Sequence, residues 1–268
     1  MNESIPETQI EDERVSAWEH IDELRDRLLR STAAVFLLSA VAYLVRFKLW
    51  DMATRPLRLA AAARPALGDH LFAYTDLAEP FMAMMKLSFW TAVFLASPYV
   101  FYQFWAFVKP ALRPREKKSA AAFVVATSGC FILGAVFAYY FMFGALADLL
   151  MDEAARAGLR PNLRPTEYLN LFLYTLVGSG VAFESPVLFY FLARFGMVNS
   201  RAMITHWREA TLAILFVSGF CTPGDVIATM IIFGLALLAL YFISAGVVWS
   251  VERSAARVCP PSEPREAP

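Results

Sequence analysis

Apolar residues run through this chain in long blocks. Ser31–Val45, Leu87–Val108, Ser119–Ala147, Ala210–Gly224 and Val226–Val251 contain no Asp, Glu, Lys or Arg, and Tyr168–Ala193 is interrupted only by Glu184. A bilayer core about 30 Å thick needs about 20 apolar residues in a helix. The first block is lengthened by Phe47, Leu49 and Trp50, because Arg46 and Lys48 between them can extend their charged heads to the interface. Ala210–Gly224 covers only about 22 Å. The turn-forming string Thr222-Pro223-Gly224-Asp225 separates it from the last block. The pattern predicts an all-α membrane protein with six transmembrane helices, near 31–50, 84–108, 119–147, 168–194, 208–222 and 226–250. The last two form a tight hairpin within a domain over 16–251.

A different pattern precedes the first block. Ser16-Ala17-Trp18-Glu19 is a capping box, and Trp18, Ile21, Leu24 and Leu28 make one apolar face. Acids lie in the first half of this segment and Arg25, Arg27 and Arg30 in the second, matching the helix dipole. An interfacial amphipathic helix of its own is expected, running into the first span. Residues 1–15 read as a flexible cytoplasmic start, too acidic and polar for a cleavable signal peptide. The Pro- and Glu-rich tail, 252–268, reads as disordered. Pro98 and Pro186 are expected to interrupt the second and fourth spans. Gly219, Gly234, Ala236, Ser244, Ala245 and Gly246 permit close helix approach, either inside the last hairpin or against partner helices.

Composition and charge narrow the class. Hydrophobic residues are 58% and charged residues 18% of the chain, too little polar surface to coat a soluble body of this size. The formal net charge of +0 gives no reason to expect a nucleic-acid partner. Lys109, Arg113, Arg115, Lys117 and Lys118 crowd the segment between the second and third spans. With six spans, this asymmetry puts both termini in the cytoplasm and 52–79 and 148–167 outside.

No catalytic constellation emerges. Cys130, Cys221 and Cys259 have no metal-ligand spacing, His20, His70 and His206 form no metal motif, and no Walker loop or nucleophile elbow occurs. No enzyme activity, cofactor or metal is expected. The carboxylates are the candidates. Glu184 lies inside a span, where an ionisable group is a functional hypothesis by default. It either bonds neighbouring backbone in neutral form or offers a polar spot to a guest. A secondary transporter with a midplane site at Glu184, near Pro186, is the alternative that the residues allow. Glu23 can pair with Arg27 one turn on. Glu116 is the sole acid in the cationic loop, there to neutralise its neighbours or to dock a guest.

Longer strings carry a resemblance. His20-Ile21-Asp22-Glu23-Leu24-Arg25-Asp26-Arg27-Leu28-Leu29 resembles the N-terminal motif of the TatC family, the polytopic receptor of the twin-arginine protein translocase. The run from Ser97-Pro98-Tyr99 through Lys109-Pro110-Ala111-Leu112, followed shortly by Glu116, is similar to a second and longer motif of that family. Ala182-Phe183-Glu184-Ser185-Pro186-Val187 and Thr222-Pro223-Gly224-Asp225-Val226 resemble its fourth-span motif and last external turn. Gly224 stands where the family usually has a second proline, and Thr229 where a glutamine is frequent.

The resemblance implies a curved, glove-like arrangement of the six helices in the bacterial cytoplasmic (inner) membrane. It implies binding of twin-arginine signal peptides on folded cargo, with Glu23, Glu116, Arg25 and Phe107 at the binding site. Glu184 becomes an intramembrane polar contact, and Pro56 and Asp225 belong to external turns. Expected partners are TatA- and TatB-type single-span proteins, other copies of the chain and membrane lipid. Transport would draw on the protonmotive force. Arginine's planar fork suits carboxylate acceptors in a way that lysine's point charge does not.

Overall fold

The computed structural model describes the backbone of residues 7–64, 71–108, 120–221 and 227–258, and the side chains of 21–64, 71–107, 123–219 and 230–253. The described chain is helical: α1 (Glu7–Leu44), α2 (Arg46–Ala62), α3 (Glu79–Val108), α4 (Ala120–Phe137), a π-helical turn (Ala138–Met142), α5 (Phe143–Arg156), α6 (Pro165–Phe183), α7 (Ser185–Arg194), α8 (Ser200–Thr205), α9 (Trp207–Cys221) and α10 (Ile227–Val258). The segments Ile21–Leu44, Glu79–Phe107, Phe123–Arg156, Pro165–Arg194 and Met230–Arg253 are long and apolar enough to cross a membrane. The 15 residues of α9 rise only about 22 Å and make the short sixth. The chain packs as two units, Met1–Asp51 with Phe81–Ser128, and Met52–Pro80 with Gly129–Pro268.

In the first unit, the segment expected as a separate interfacial helix continues without a break into the first span. No glycine or proline lies between Glu7 and Leu44 to stop it. The break falls later, at Val45, inside the expected first span. There the Arg46 guanidinium turns back, donates to the Tyr43 carbonyl at 3.1 Å, and lies 4.4 and 4.5 Å from the centres of the Tyr43 and Phe47 rings. A cation that satisfies a last-turn carbonyl ends a helix favourably.

Pro98 does not interrupt α3, which runs through it. Proline has no N–H to give the carbonyl four residues back. That carbonyl, of Phe94, accepts instead from the Ser97 hydroxyl at 2.8 Å. The Ser-Pro pair thus supplies its own replacement donor.

In the second unit, Gly134 of α4 meets α6. A Cβ there would lie 2.6 Å from the Ser179 carbonyl oxygen and 2.9 Å from the Gly180 Cα. Only glycine permits that approach. Past it, Phe143 packs edge to face on both Tyr168 and Phe172, which stack on each other, and Phe72 packs edge to face on Tyr168.

Two tyrosines reach α2 and explain a correction. Pro56, expected in an external turn, sits inside that helix. Its missing N–H leaves the Met52 carbonyl unserved. The Tyr139 hydroxyl donates to that carbonyl at 2.8 Å, and the Tyr168 hydroxyl donates to the neighbouring Ala53 carbonyl at 2.7 Å.

At the opposite end of the fourth and last spans, α10 continues beyond residue 251 to Val258, where a disordered tail is expected. Its sequence holds no breaker before Pro260. Glu252 accepts from the Ser200 backbone N–H at 2.9 Å and from the Ser200 hydroxyl, which anchors that extension to α8. At the other terminus, helix starts at Glu7, inside the stretch expected to be flexible, because Glu7–Arg14 is free of glycine and proline.

Among the small residues of the last hairpin, Gly234 and Ser244 pack inside the fold, whereas a Cβ at Gly246 would meet nothing within 4 Å. A Cβ at Gly234 would lie 3.3 Å from the Ser218 hydroxyl oxygen of α9, and Ser244 is fully buried with its hydroxyl donated to the Leu240 carbonyl.

Candidate functional site

The chemistry of the first unit gathers where α1 meets α3. Glu23 and Arg27 are one turn apart on α1, so their side chains share a face. Arg27 donates from Nε at 3.0 Å and from Nη2 at 2.5 Å, both to Glu23 Oε1. Its remaining terminal nitrogen, Nη1, lies 3.4 Å from the side-chain carbonyl of Gln103 on α3. The Glu23 side chain is 36% exposed and that of Arg27 23%, whereas Gln103 is 6% exposed. A half-exposed carboxylate therefore holds a guanidinium whose far side touches a buried amide.

Phe107 lies one turn beyond Gln103 on the same face of α3 and is partly buried. Arg25 is exposed and not on that face: two residues from Glu23 is more than half a helical turn. Helical periodicity thus brings Glu23, Arg27, Gln103 and Phe107 toward one locus and leaves Arg25 outside it. Glu116 and Asp225 lie outside the described residues, as does Gly224. Gln103 is the residue that sequence reasoning passed over. Its signal was an amide in an otherwise apolar run, hidden within a motif read as a whole.

Glu184 belongs to the second unit. It occupies the joint between α6 and α7, where its backbone carbonyl accepts from the N–H groups of Val187 at 3.0 Å and Leu188 at 2.9 Å. Both side-chain oxygens are buried, and neither has a hydrogen-bond partner among the described residues. The expected alternative, bonding to neighbouring backbone, is not what the side chain does. An unpartnered carboxyl at such a place is costly. Phe183 before it packs on Phe137 at 5.4 Å between ring centres, which fixes the end of α6.

A second polar cluster ties 52–79 to 148–167. Arg64 donates from Nε to Asp152 at 2.8 Å, and from Nη1 to the Ala60 carbonyl at 2.5 Å and to Asp148 at 3.2 Å. The hydrogen bond that Arg64 donates to Asp152 holds the Arg64 proton more tightly than usual. Arg164 pairs with buried Glu79 at 3.4 Å and with Glu167 at 3.3 Å. A parallel bridge joins Phe72 and Leu163, with Ala73 N–H to the Leu163 carbonyl at 3.0 Å and Leu163 N–H to the Leu71 carbonyl at 2.9 Å. These two segments therefore lie against each other within the second unit. No group of three or more His, Cys, Asp or Glu that could hold a metal occurs among the described residues.

Comparison with known proteins follows the same lines. The family described as Sec-independent protein translocase protein (TatC) matches residues 19–234. The Sec-independent protein translocase protein TatC of Koribacter versatilis is 32% identical over 237 residues, which cover 88% of this chain and 86% of the relative. The same-named protein of Campylobacter jejuni is 32% identical over 232 residues, covering 87% and 93%. A crystal structure described as the twin arginine translocase receptor TatC superposes with a TM-score of 0.71 at 25% identity, covering 87% of this chain and all of that one. The transporter alternative is set aside by these matches. The chain is a multi-span membrane protein of the TatC family, the Sec-independent protein translocase proteins.

Proposed function

We propose that this chain is the signal-peptide receptor of its translocase, and that Glu23 and Glu116 each accept one arginine of a twin-arginine signal. The observation that carries the reading is the Glu23 carboxylate: it is half-exposed and already holds a guanidinium through two N–H donors. Glu116 enters by its place in the family motif, in the segment that follows α3. Phe107, on the Gln103 face, would pack on the guest beside its arginines. Arg25 would act from the far side of α1, by charge rather than by contact. Glu184 would meet the apolar part of the guest as a polar contact.

The receptor would work in the bacterial inner membrane with both termini in the cytoplasm, and Asp225 in an external turn. TatA- and TatB-type single-span proteins, further copies of the chain and lipid would be its partners. The contact of 52–79 with 148–167 supports this topology, since both segments are expected outside.

The test is peptide binding by purified protein in detergent, using Arg-Arg and Lys-Lys signal peptides against Glu23→Gln and Glu116→Gln. A hydrogen bond to a charged group is worth about 1.5–3 kcal/mol, so each variant should bind the Arg-Arg peptide roughly 10- to 150-fold more weakly. Melting temperature is recorded alongside. Wild-type affinity and Arg-Arg preference in both folded variants would show that the carboxylates serve only as salt-bridge partners.

A further inference from the structure

The Glu23 acceptor is occupied by the protein's own arginine. Arg27 directs two donors at one oxygen, Glu23 Oε1, and rests 3.4 Å from the Gln103 carbonyl oxygen. A guest guanidinium that bonds a carboxylate in the parallel, two-oxygen fashion needs that oxygen too. Both guanidiniums cannot hold it together, because each uses the same lone pairs and they repel at contact.

We propose that Arg27 is a built-in competitor for the guest arginine, and that Gln103 is where it withdraws when the guest arrives. This rests on the receptor reading above and adds to it an exchange step. On arrival of the guest, Arg27 releases Glu23 Oε1 and shifts its hydrogen bonding to the Gln103 amide oxygen, which it already approaches. Gln103 suits that role: it is buried, neutral, and supplies an acceptor that no guest can reach first. Phe107, one turn further along α3, closes the same face. Glu23 stays paired, since one guanidinium replaces another there, and the Arg27 charge passes to a neutral acceptor with help from water, its side chain being 23% exposed.

The exchange has a definite thermodynamic signature. Self-occupancy lowers the fraction of receptor with a free acceptor, and apparent affinity falls by that fraction for every guest that uses the acceptor. Arg-Arg and Lys-Lys peptides are then weakened by the same factor, and their ratio is untouched. Arg27 thus sets the threshold for binding, while Glu23 sets the preference. A weak Lys-Lys guest drops below working concentrations and a strong Arg-Arg guest does not. The pair is part-exposed and one helical turn apart, so the factor is modest, about two- to fivefold.

The experiment uses the full chain in detergent and measures both peptides against Arg27→Gln, Arg27→Lys and Gln103→Leu, with melting temperatures as a check on folding. Arg27→Gln should tighten both peptides by the same factor, about two- to fivefold. Arg27→Lys keeps the charge and loses the two-donor contact, and should tighten both by less. Gln103→Leu removes the place of withdrawal and should weaken both. Unchanged or weaker binding in folded Arg27→Gln overturns the proposal and leaves the receptor site standing. If Arg27→Gln does not fold, unchanged or weaker binding by Arg27→Lys overturns it in the same way. A change in the Arg-Arg to Lys-Lys ratio also overturns it, since Arg27 would then contact the guest directly. Absence of any Arg-Arg preference in the unaltered protein fails the receptor reading, and this proposal with it.

Discussion

The approach of α4 to α6 makes Gly134 the position where the smallest change should do most. Gly134→Ala puts a Cβ 2.6 Å from the Ser179 carbonyl oxygen and 2.9 Å from both the Gly180 Cα and the Phe183 Cβ. Two of these are backbone atoms and cannot rotate away. Ordinary contact begins at 3.4 Å, so the helices must part by 3.4 − 2.6 = 0.8 Å at that point. Overpacking of that size costs about 1–3 kcal/mol. Against it stands the gain in helix propensity from glycine to alanine, about 0.8–1.0 kcal/mol. Gly129 supplies the control: it lies in the same helix, and a Cβ there meets nothing within 4 Å. Both variants share the propensity gain, so their difference in stability reads the clash alone. Thermal melting in one detergent should rank Gly129→Ala at or above the unaltered protein and Gly134→Ala below Gly129→Ala by about 1–3 kcal/mol. The clash also bears on Phe183, the last residue of α6 before Glu184. Equal melting of the two alanine variants would refute the close-approach argument.

Tyr139→Phe should lower stability by about 0.5–1.5 kcal/mol, and much less in a Pro56→Ala background, where residue 56 regains the N–H that serves the Met52 carbonyl; a double-mutant cycle by thermal melting measures the coupling. Arg64→Lys keeps the charge but cannot reach Asp148, Asp152 and the Ala60 carbonyl together, so it should melt lower than Arg156→Lys, whose side chain is 75% exposed and pairs at 3.5 Å. For topology, a cysteine at Ala62 in a cysteine-free background should react with an impermeant label from outside, and one at Ala202 only after the membrane is opened. Ala202 is exposed, whereas the neighbouring Ser200 is buried and bonded to Glu252 and would report burial rather than sidedness.

The spans were legible because a membrane leaves few solutions. An uncharged block of sufficient length must be helical when no water can satisfy its backbone. What the pattern could not supply was where helices stop. Hydropathy marks solvent, not hydrogen bonding, so α1 runs through the boundary seen at Ser31 and breaks at Val45 for a local reason, the Arg46 guanidinium. Pro98 and Pro56 show the same limit from the other side. Each looks like an interruption until the replacement donor is found. Ser97 is adjacent in sequence and could have been recognised. Tyr139 serves Met52 from 87 residues away, and no local rule reaches that far. The π-helical turn at Ala138–Met142 likewise left no mark in a uniformly apolar stretch.

The candidate site divides in a similar way. The one-turn spacing of Glu23 and Arg27 was readable, and the pair exists. That Arg27 also reaches Gln103 was not readable, because the contact joins residues 76 apart. The two acids that the sequence marks on described elements then differ in a way that fits different tasks. A carboxylate that must take up and release arginines has to hold them weakly enough to exchange. A part-exposed ion pair one helical turn apart is worth only about 0.2–1 kcal/mol, which suits exchange. The same pair enclosed in a span would be ruinous to open, since removing one partner from a buried pair costs about 3–5 kcal/mol. The proposed arginine recognition therefore suits Glu23, whose side chain on α1 is 36% exposed. Glu184, enclosed and without a donor of its own, suits a contact that brings its own polar atom and no fixed charge.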